Sequence, residues 1–333
     1  MPIVLIAVSV LLQAGAEGFL SGRLDPAASL LFSFLAFLTT AVAFGLTSLL
    51  RGRRRGALRD PEVRRLLYGM NLASALTFLG YFLALAWVPA ALAASLMAGV
   101  GPLAVAVLGA VRRTGGPVPA DGPGRAGWLR AGALLALSLV IATCTGSGDL
   151  GASGPELLGG AALAVLSGFG AAVLATISRK LGGLGVDPVV VTAHRFHLTY
   201  LLAGALLLLH GGPTGHGLSL GAAATTALAG VAVPLYLLQI GAQRCAPVIT
   251  MLLLTTHPGL TYLAQVLFGD RFRPLSAVLI TALVVLAALF TRIEARPRRP
   301  LAPTVPAPTR EGERDADRTG DRGRRAQGVR LRP

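Results

Sequence analysis

The chain is 333 residues long, 53% hydrophobic and only 14% charged, with a mean hydropathy of +0.68 and a formal charge of +15. Soluble globular chains carry about 25% charged residues, so too few polar side chains remain here to cover a water-facing surface. Apolar runs this long and this numerous need lipid as their solvent, which predicts an all-α integral membrane protein.

The basic excess does not point to nucleic acid. Residues 1–293 hold 19 Lys and Arg against 9 Asp and Glu, and residues 294–333 hold 11 against 6. These charges lie in loops and tail with no interleaved aromatic residues, a pattern that suits lipid headgroups better than a nucleic-acid groove.

Taken in chain order, with about 20 apolar residues per span, helices are predicted near 3–20, 27–49, 67–87, 90–111, 127–146, 156–178, 188–209, 220–243, 247–268 and 275–292. Clusters of Gly, Pro and charge separate them, such as Ser21-Gly22-Arg23-Leu24-Asp25-Pro26 and His210-Gly211-Gly212-Pro213. Met1–Ala16 ends in Ala14-Gly15-Ala16 as secretory signals do, but it has no positive n-region and is read as the first span. With the N-terminus inside, the inner loops receive 14 Lys and Arg and the outer loops only Arg23, Arg271 and Arg273. The expectation is therefore a multi-pass protein of a bacterial plasma (inner) membrane with both termini cytoplasmic. From Glu294 onward the chain is rich in Arg, Pro, Gly and acids, which predicts a disordered basic tail over 294–333. Cys144 and Cys245 fall in different spans at opposite faces and read as packing residues, not a disulfide.

The sequence also matches itself. At an offset of 162, Asp25, Pro26 and Phe34 lie on Asp187, Pro188 and Phe196; at 155, Tyr81 lies on Tyr236; at 156, Pro102 lies on Pro258. Each half then holds five spans, and an odd number makes the halves run in opposite directions. Such inverted repeats are typical of secondary transporters, because two related bundles can exchange conformations about a shared site.

On these residues the chain resembles the drug/metabolite transporter superfamily, specifically EamA-like proteins with ten spans. The resemblance covers residues 1–293 and rests on the paired Asp-Pro openings, the spacing of Pro188 and Arg195, and the Tyr-to-Pro stretches 81–102 and 236–258. It implies two inverted five-helix repeats, 1–148 and 155–293. It also implies secondary active transport of a small organic solute such as an amino acid, a metabolite or a drug, with export favoured over import. Two positions depart from the pattern. Ser33 stands opposite Arg195, and Asp270 stands where such proteins often have Glu, with Thr114 as its match.

Candidate site residues follow from what lipid makes costly. Proline inside a span removes a backbone hydrogen bond and frees a carbonyl, so Gly99-Val100-Gly101-Pro102 and Thr255-Thr256-His257-Pro258-Gly259 are expected along the substrate path. A packing kink is the alternative reading of both. Ionisable residues in spans usually face a cavity, and here they include Glu17, Arg130, Arg195, His194, His197 and His257. Glu17 is the coupling candidate for a proton gradient and resembles in type the first-helix Glu of the related small multidrug resistance proteins; reaching the headgroup zone is its alternative. Arg195 either extends to the headgroups or points inward and attracts an anionic group such as a carboxylate. His257 either titrates or is a neutral core histidine. Asn71, Thr77, Tyr81, Tyr236, Gln239 and Gln265 offer uncharged donors to a solute or to neighbouring helices.

Soluble-enzyme patterns fail on context. Gly146-Ser147-Gly148-Asp149-Leu150-Gly151 spells a dinucleotide fingerprint between two spans, and Gly217-Leu218-Ser219-Leu220-Gly221 spells a nucleophile elbow without a preceding strand. Lys180, the only lysine, follows Arg179, so no phosphate loop ends in Gly-Lys-Ser/Thr. No enzyme activity, cofactor or metal is expected. The expected partners are the lipid bilayer, a solute and a proton gradient, and a homodimer is left open. The second reading is a non-transporting membrane assembly component or a lipid flippase with the same fold.

Overall fold

The computed structural model describes residues 1–51, 58–113, 125–145, 154–211 and 220–294. The loop fingerprints at 146–151 and 217–219, Thr114, the side chain of Cys144 and the tail from 295 onward lie outside these residues. Among the described residues all regular structure is helical, and it groups into ten rods. They are α1 (Pro2–Leu20), α2 (Pro26–Leu50), α3 (Pro61–Ala84), α4 (Ala90–Arg113), α5 (Arg125–Thr145), α6 (Gly154–Gly183), α7 (Pro188–Leu209), α8, α9 and α10 (Pro274–Glu294). α8 comprises Leu220–Ala227, a π-helical turn Leu228–Ala232 and Val233–Arg244, and α9 comprises Pro247–Leu254 and His257–Leu267.

Seven of the rods, α1, α2, α3, α4, α6, α7 and α8, are long and apolar enough to cross a membrane by length and composition. The radial distribution of polarity agrees. Leu46, Leu49, Leu50, Leu208 and Leu209 are more than half exposed, while Ser9, Ser29, Ser33, Thr40, Ser95, Thr192 and Gln239 are wholly buried. A water-soluble bundle would invert that arrangement, whereas lipid tails accept leucine and exclude hydroxyls.

Helix starts are set by short-range chemistry. Asp25, Asp60 and Asp187 each cap a helix by accepting a backbone N–H, from Ala28 (2.7 Å), Glu62 (2.8 Å) and Val189 (2.8 Å), and a proline follows each of them. The cap satisfies one orphan donor, and proline at the first helical position lacks an N–H that would otherwise go unpaired. α3 and α8 each contain one π-helical turn, Ala75–Leu79 and Leu228–Ala232.

Two rods are broken. α7 stops at His194 and restarts at His197, leaving Arg195 and Phe196 between the pieces. α9 stops at Leu254 and restarts at His257, and the hydroxyls of Thr255 and Thr256 donate to the carbonyls of Leu252 and Leu253. By contrast α4 runs unbroken through Pro102.

Met1–Ala295 forms one compact unit. α1 packs on α8 and the second piece of α9; α4 lies against α5, α6 and α9; α2 lies against α7; and α5 lies against α10. Two glycines permit the approaches of α1 to its neighbours around Glu17. A Cβ at Gly18 would lie 2.5 Å from Ala264 Cβ and 2.8 Å from the backbone of Ala264 and Gln265, and one at Gly230 would collide with Ala16 Cβ. Small residues let membrane helices come together where no hydrophobic effect drives association. Here they clamp α1 between α8 and α9 on either side of Glu17.

Candidate functional site

The clamp borders a cavity of about 70 Å³ bounded by α1, α3, α4, α6, α8, α9 and the break of α7. Most of its wall is apolar, from residues such as Leu20, Phe78, Met97, Leu174, Val231 and Leu254. Two polar clusters interrupt that wall.

The first cluster is centred on Glu17, in the last turns of α1 and 7% exposed. Tyr81 Oη donates to Glu17 Oε2 at 2.6 Å, and His257 Nε2 stands 3.1 Å from the same oxygen. His257 is the first residue of the second piece of α9, an eleven-residue helix. His257 Nδ1 is buried without a hydrogen-bond partner.

The second cluster is centred on Arg195, 3% exposed, at the break in α7. Its Nη1 donates to Gln239 Oε1 at 2.8 Å and its Nε approaches Ser74 Oγ at 3.4 Å. The guanidinium carbon lies 4.8 Å from the ring centre of Phe196 and 5.5 Å from that of Phe78. Ser178 Oγ also donates to Gln239 Oε1, at 3.2 Å, while Gln239 Nε2 is buried and unpartnered. The break itself is held by Asn71 on α3, whose Nδ2 donates to His194 O and whose Oδ1 accepts from Leu198 N at 3.2 Å.

Glu17, Tyr81, His257, Gln239 and Arg195 therefore line one cavity. Pro102, Pro258, Tyr236 and Asn71 do not. Both prolines are packed within their helices, Tyr236 stacks on Phe44 with centroids 4.8 Å apart, and Asn71 serves backbone groups of α7. Pro258 acts one step removed, at the start of the helix piece whose first residue, His257, lines the cavity. Glu17 and Arg195 both point inward, away from the headgroup placements weighed for them. Arg130 lies over Phe290 at 6.0 Å, tying α5 to α10 outside the cavity. Ser74, Ser178 and Phe78 were not legible as site residues. Single serines in apolar helices are common, and only the fold reveals which of them meet Gln239 or a guanidinium.

Side-chain bridges join the helices on two sides of the cavity. Toward the α1–α2 turn, Gln265 donates to Ser21 Oγ (2.7 Å) and Asp270 (3.2 Å) and accepts from Ala91 N (3.0 Å), joining α1, α4 and α9. Beyond it lies a second, larger cavity of about 600 Å³ lined by Trp87, Asp270, Arg271 and Arg273 among others. At the other end, Gln243 donates to Val186 O (3.2 Å) and its own carbonyl accepts from Arg179 (3.1 Å), joining α6, α8 and the α6–α7 turn.

Comparison with known proteins bears on the fold. No family model and no curated protein matches the chain. A solved structure carried under the words "Crystal structure of protein" aligns with a TM-score of 0.61 and 22% identity, over 89% of this chain and 99% of that one. That likeness shows a shared fold.

Proposed function

We propose that this protein is a secondary active transporter of a small organic solute, working by alternating access across a bacterial plasma membrane, with export as its direction. The observation that carries this reading is the single cavity lined by Glu17, His257, Tyr81 and Arg195 inside lipid-exposed helices. Ionisable groups at membrane depth are costly and mark solute or ion pathways, and discontinuous helices at such a site are the recurring construction of transporters. A membrane assembly component would have no need of such an interior.

The reading includes ten crossings arranged as two inverted five-helix repeats of the EamA-like, drug/metabolite transporter type. Four parallels between the halves support it: the Asp-Pro caps of α2 and α7, the π turns of α3 and α8, the Tyr81 and Tyr236 pair, and the prolines of α4 and α9. The bridges at Gln265 and Gln243 are the two gates, and breaking one while keeping the other opens the cavity to one side.

Glu17 is the proton-coupling group. Its carboxylate accepts from Tyr81 and stands against His257, so a change in its proton load alters the contact that joins α1 to α9. Glu17→Gln should abolish gradient-driven uptake in everted vesicles while leaving expression normal, with the solute taken from a screen of toxic amino acids, amines and antibiotics on cells with and without the protein. Unchanged transport removes Glu17 from the mechanism.

A further inference from the structure

Among the described residues Arg195 has no anionic partner. Its contacts among them are Gln239, Ser74 and the faces of Phe78 and Phe196, all of them neutral. Arginine keeps its proton even when desolvated, and a buried charge without a counter-charge is among the most expensive features a fold can hold. In a membrane interior such a residue normally pairs or serves a function.

The adjoining amide adds direction. Gln239 Oε1 accepts from two donors, Arg195 Nη1 and Ser178 Oγ, and those two bonds fix which end of the amide is oxygen. Gln239 Nε2 is thereby turned away from both with no acceptor, although the residue is wholly buried and lines the cavity. A cationic fork and an unsatisfied N–H donor side by side form a receptor for a planar anion with two oxygens. Guanidinium matches a carboxylate in just this bidentate geometry. Apart from Gln13, Thr77 and Thr250 the rest of the wall is apolar, and the opposite polar cluster carries its own carboxylate at Glu17, which repels a second anion there.

Building on the transport reading of this cavity, we propose that its solute is a small monocarboxylate with an apolar body, whose carboxylate is held by Arg195 and Gln239 while the body lies among Val231, Leu235, Met251 and Leu254. The anion supplies the counter-charge Arg195 lacks and the acceptor Gln239 Nε2 lacks, so both penalties are relieved in one binding event. Serine stands at position 33, the place in α2 that corresponds to Arg195 in α7, so that half of the chain offers no equivalent receptor.

The test is equilibrium binding to the full-length protein in lipid nanodiscs, which requires no flux and so separates this proposal from the transport reading. The probes are ω-phenyl carboxylates of two to five carbons, their primary amides and the matching amines, read by thermal shift and by competition against the tightest carboxylate. At least one carboxylate should bind tenfold or more tightly than its amide, and the amines should not compete. Arg195→Lys should weaken that carboxylate at least tenfold, since a point charge lacks the fork, and Gln239→Leu should weaken it severalfold without affecting amide binding. Arg195→Gln should erase the preference for carboxylate over amide. If that variant does not fold, the lysine and Gln239 variants decide alone. Equal binding of carboxylate and amide, absence of carboxylate binding across the series, or an undiminished preference in both Arg195→Lys and Gln239→Leu overturns the proposal. Carboxylate binding without any transport of the same compound would leave the receptor standing and remove the transport reading instead.

Discussion

α2 and α7 open with the same Asp-Pro pair, capped in the same way, yet α2 runs unbroken for 25 residues while α7 divides after seven. α4 and α9 differ likewise. Each carries an interior proline, but α4 continues through Pro102 and α9 divides just before Pro258. The difference lies in the neighbours. At the α7 break stand Arg195, a charge that has found a cavity, and Asn71, which takes up backbone groups on both sides of it. At the α9 break two threonine hydroxyls occupy carbonyls that would otherwise need the next turn. A proline loosens a helix; side chains able to receive the freed backbone groups are what let it break. The unbroken rods α2 and α4 thus serve as scaffold, while the divided rods α7 and α9 supply Arg195 and His257.

The sharpest way to break this comparison is to exchange proline for alanine in each of the two helices. In Pro258→Ala the restored backbone hydrogen bond, worth about 1 kcal/mol net, favours a straight α9 and should change the transport rate about fivefold. Pro102→Ala should leave the rate within twofold, because α4 is already continuous. Equal effects of the two substitutions would mean that the breaks do not matter to function.

A second perturbation acts on the clamp. Gly18→Val places atoms against Ala264 and the Gln265 backbone, and overpacking of that kind costs about 1–3 kcal/mol. Gly15→Val, in the same helix with open space around it, is the control and should unfold at the wild-type temperature in detergent. If Gly18→Val behaves like its control, α1 is not held against α9 as described.

The smallest effect concerns Cys245, in the short turn between α8 and α9, 7% exposed. Burial pushes its thiol up, against a weaker opposing pull from Arg179. Since the thiolate is the nucleophile, alkylation by N-ethylmaleimide at pH 7 should be slower than for free cysteine and should accelerate as pH rises. Reaction at the free-cysteine rate would place Cys245 in an open environment.

Much of this was legible in the sequence and some of it could not be. Rod positions followed largely from apolar length, because lipid allows few other solutions, but α3 begins at Pro61 instead of near 67, since the Asp60 cap starts a polar first turn that apolar length does not register. Glu17, Arg195 and His257 could be singled out because charge at membrane depth is rare. What they face could not be read, since Glu17 and His257 are 240 residues apart and meet only through the approach that Gly18 permits. Tyr236 pairs with Tyr81 in the sequence, but it stacks on Phe44 because its half of the chain brings a different neighbour. The orphaned Nε2 of Gln239 has no sequence signal at all, being created by two donors from α6 and α7.

The central claim, that the cavity opens to each side of the membrane in turn, is tested most directly by labelling a single cysteine at Ala171, which lines it. In a background of Cys144→Ala and Cys245→Ala, a membrane-impermeant thiosulfonate should modify Ala171→Cys in both right-side-out and everted vesicles. The saturating carboxylate probe should protect it in both. Modification from one face only, or from neither, would contradict alternating access.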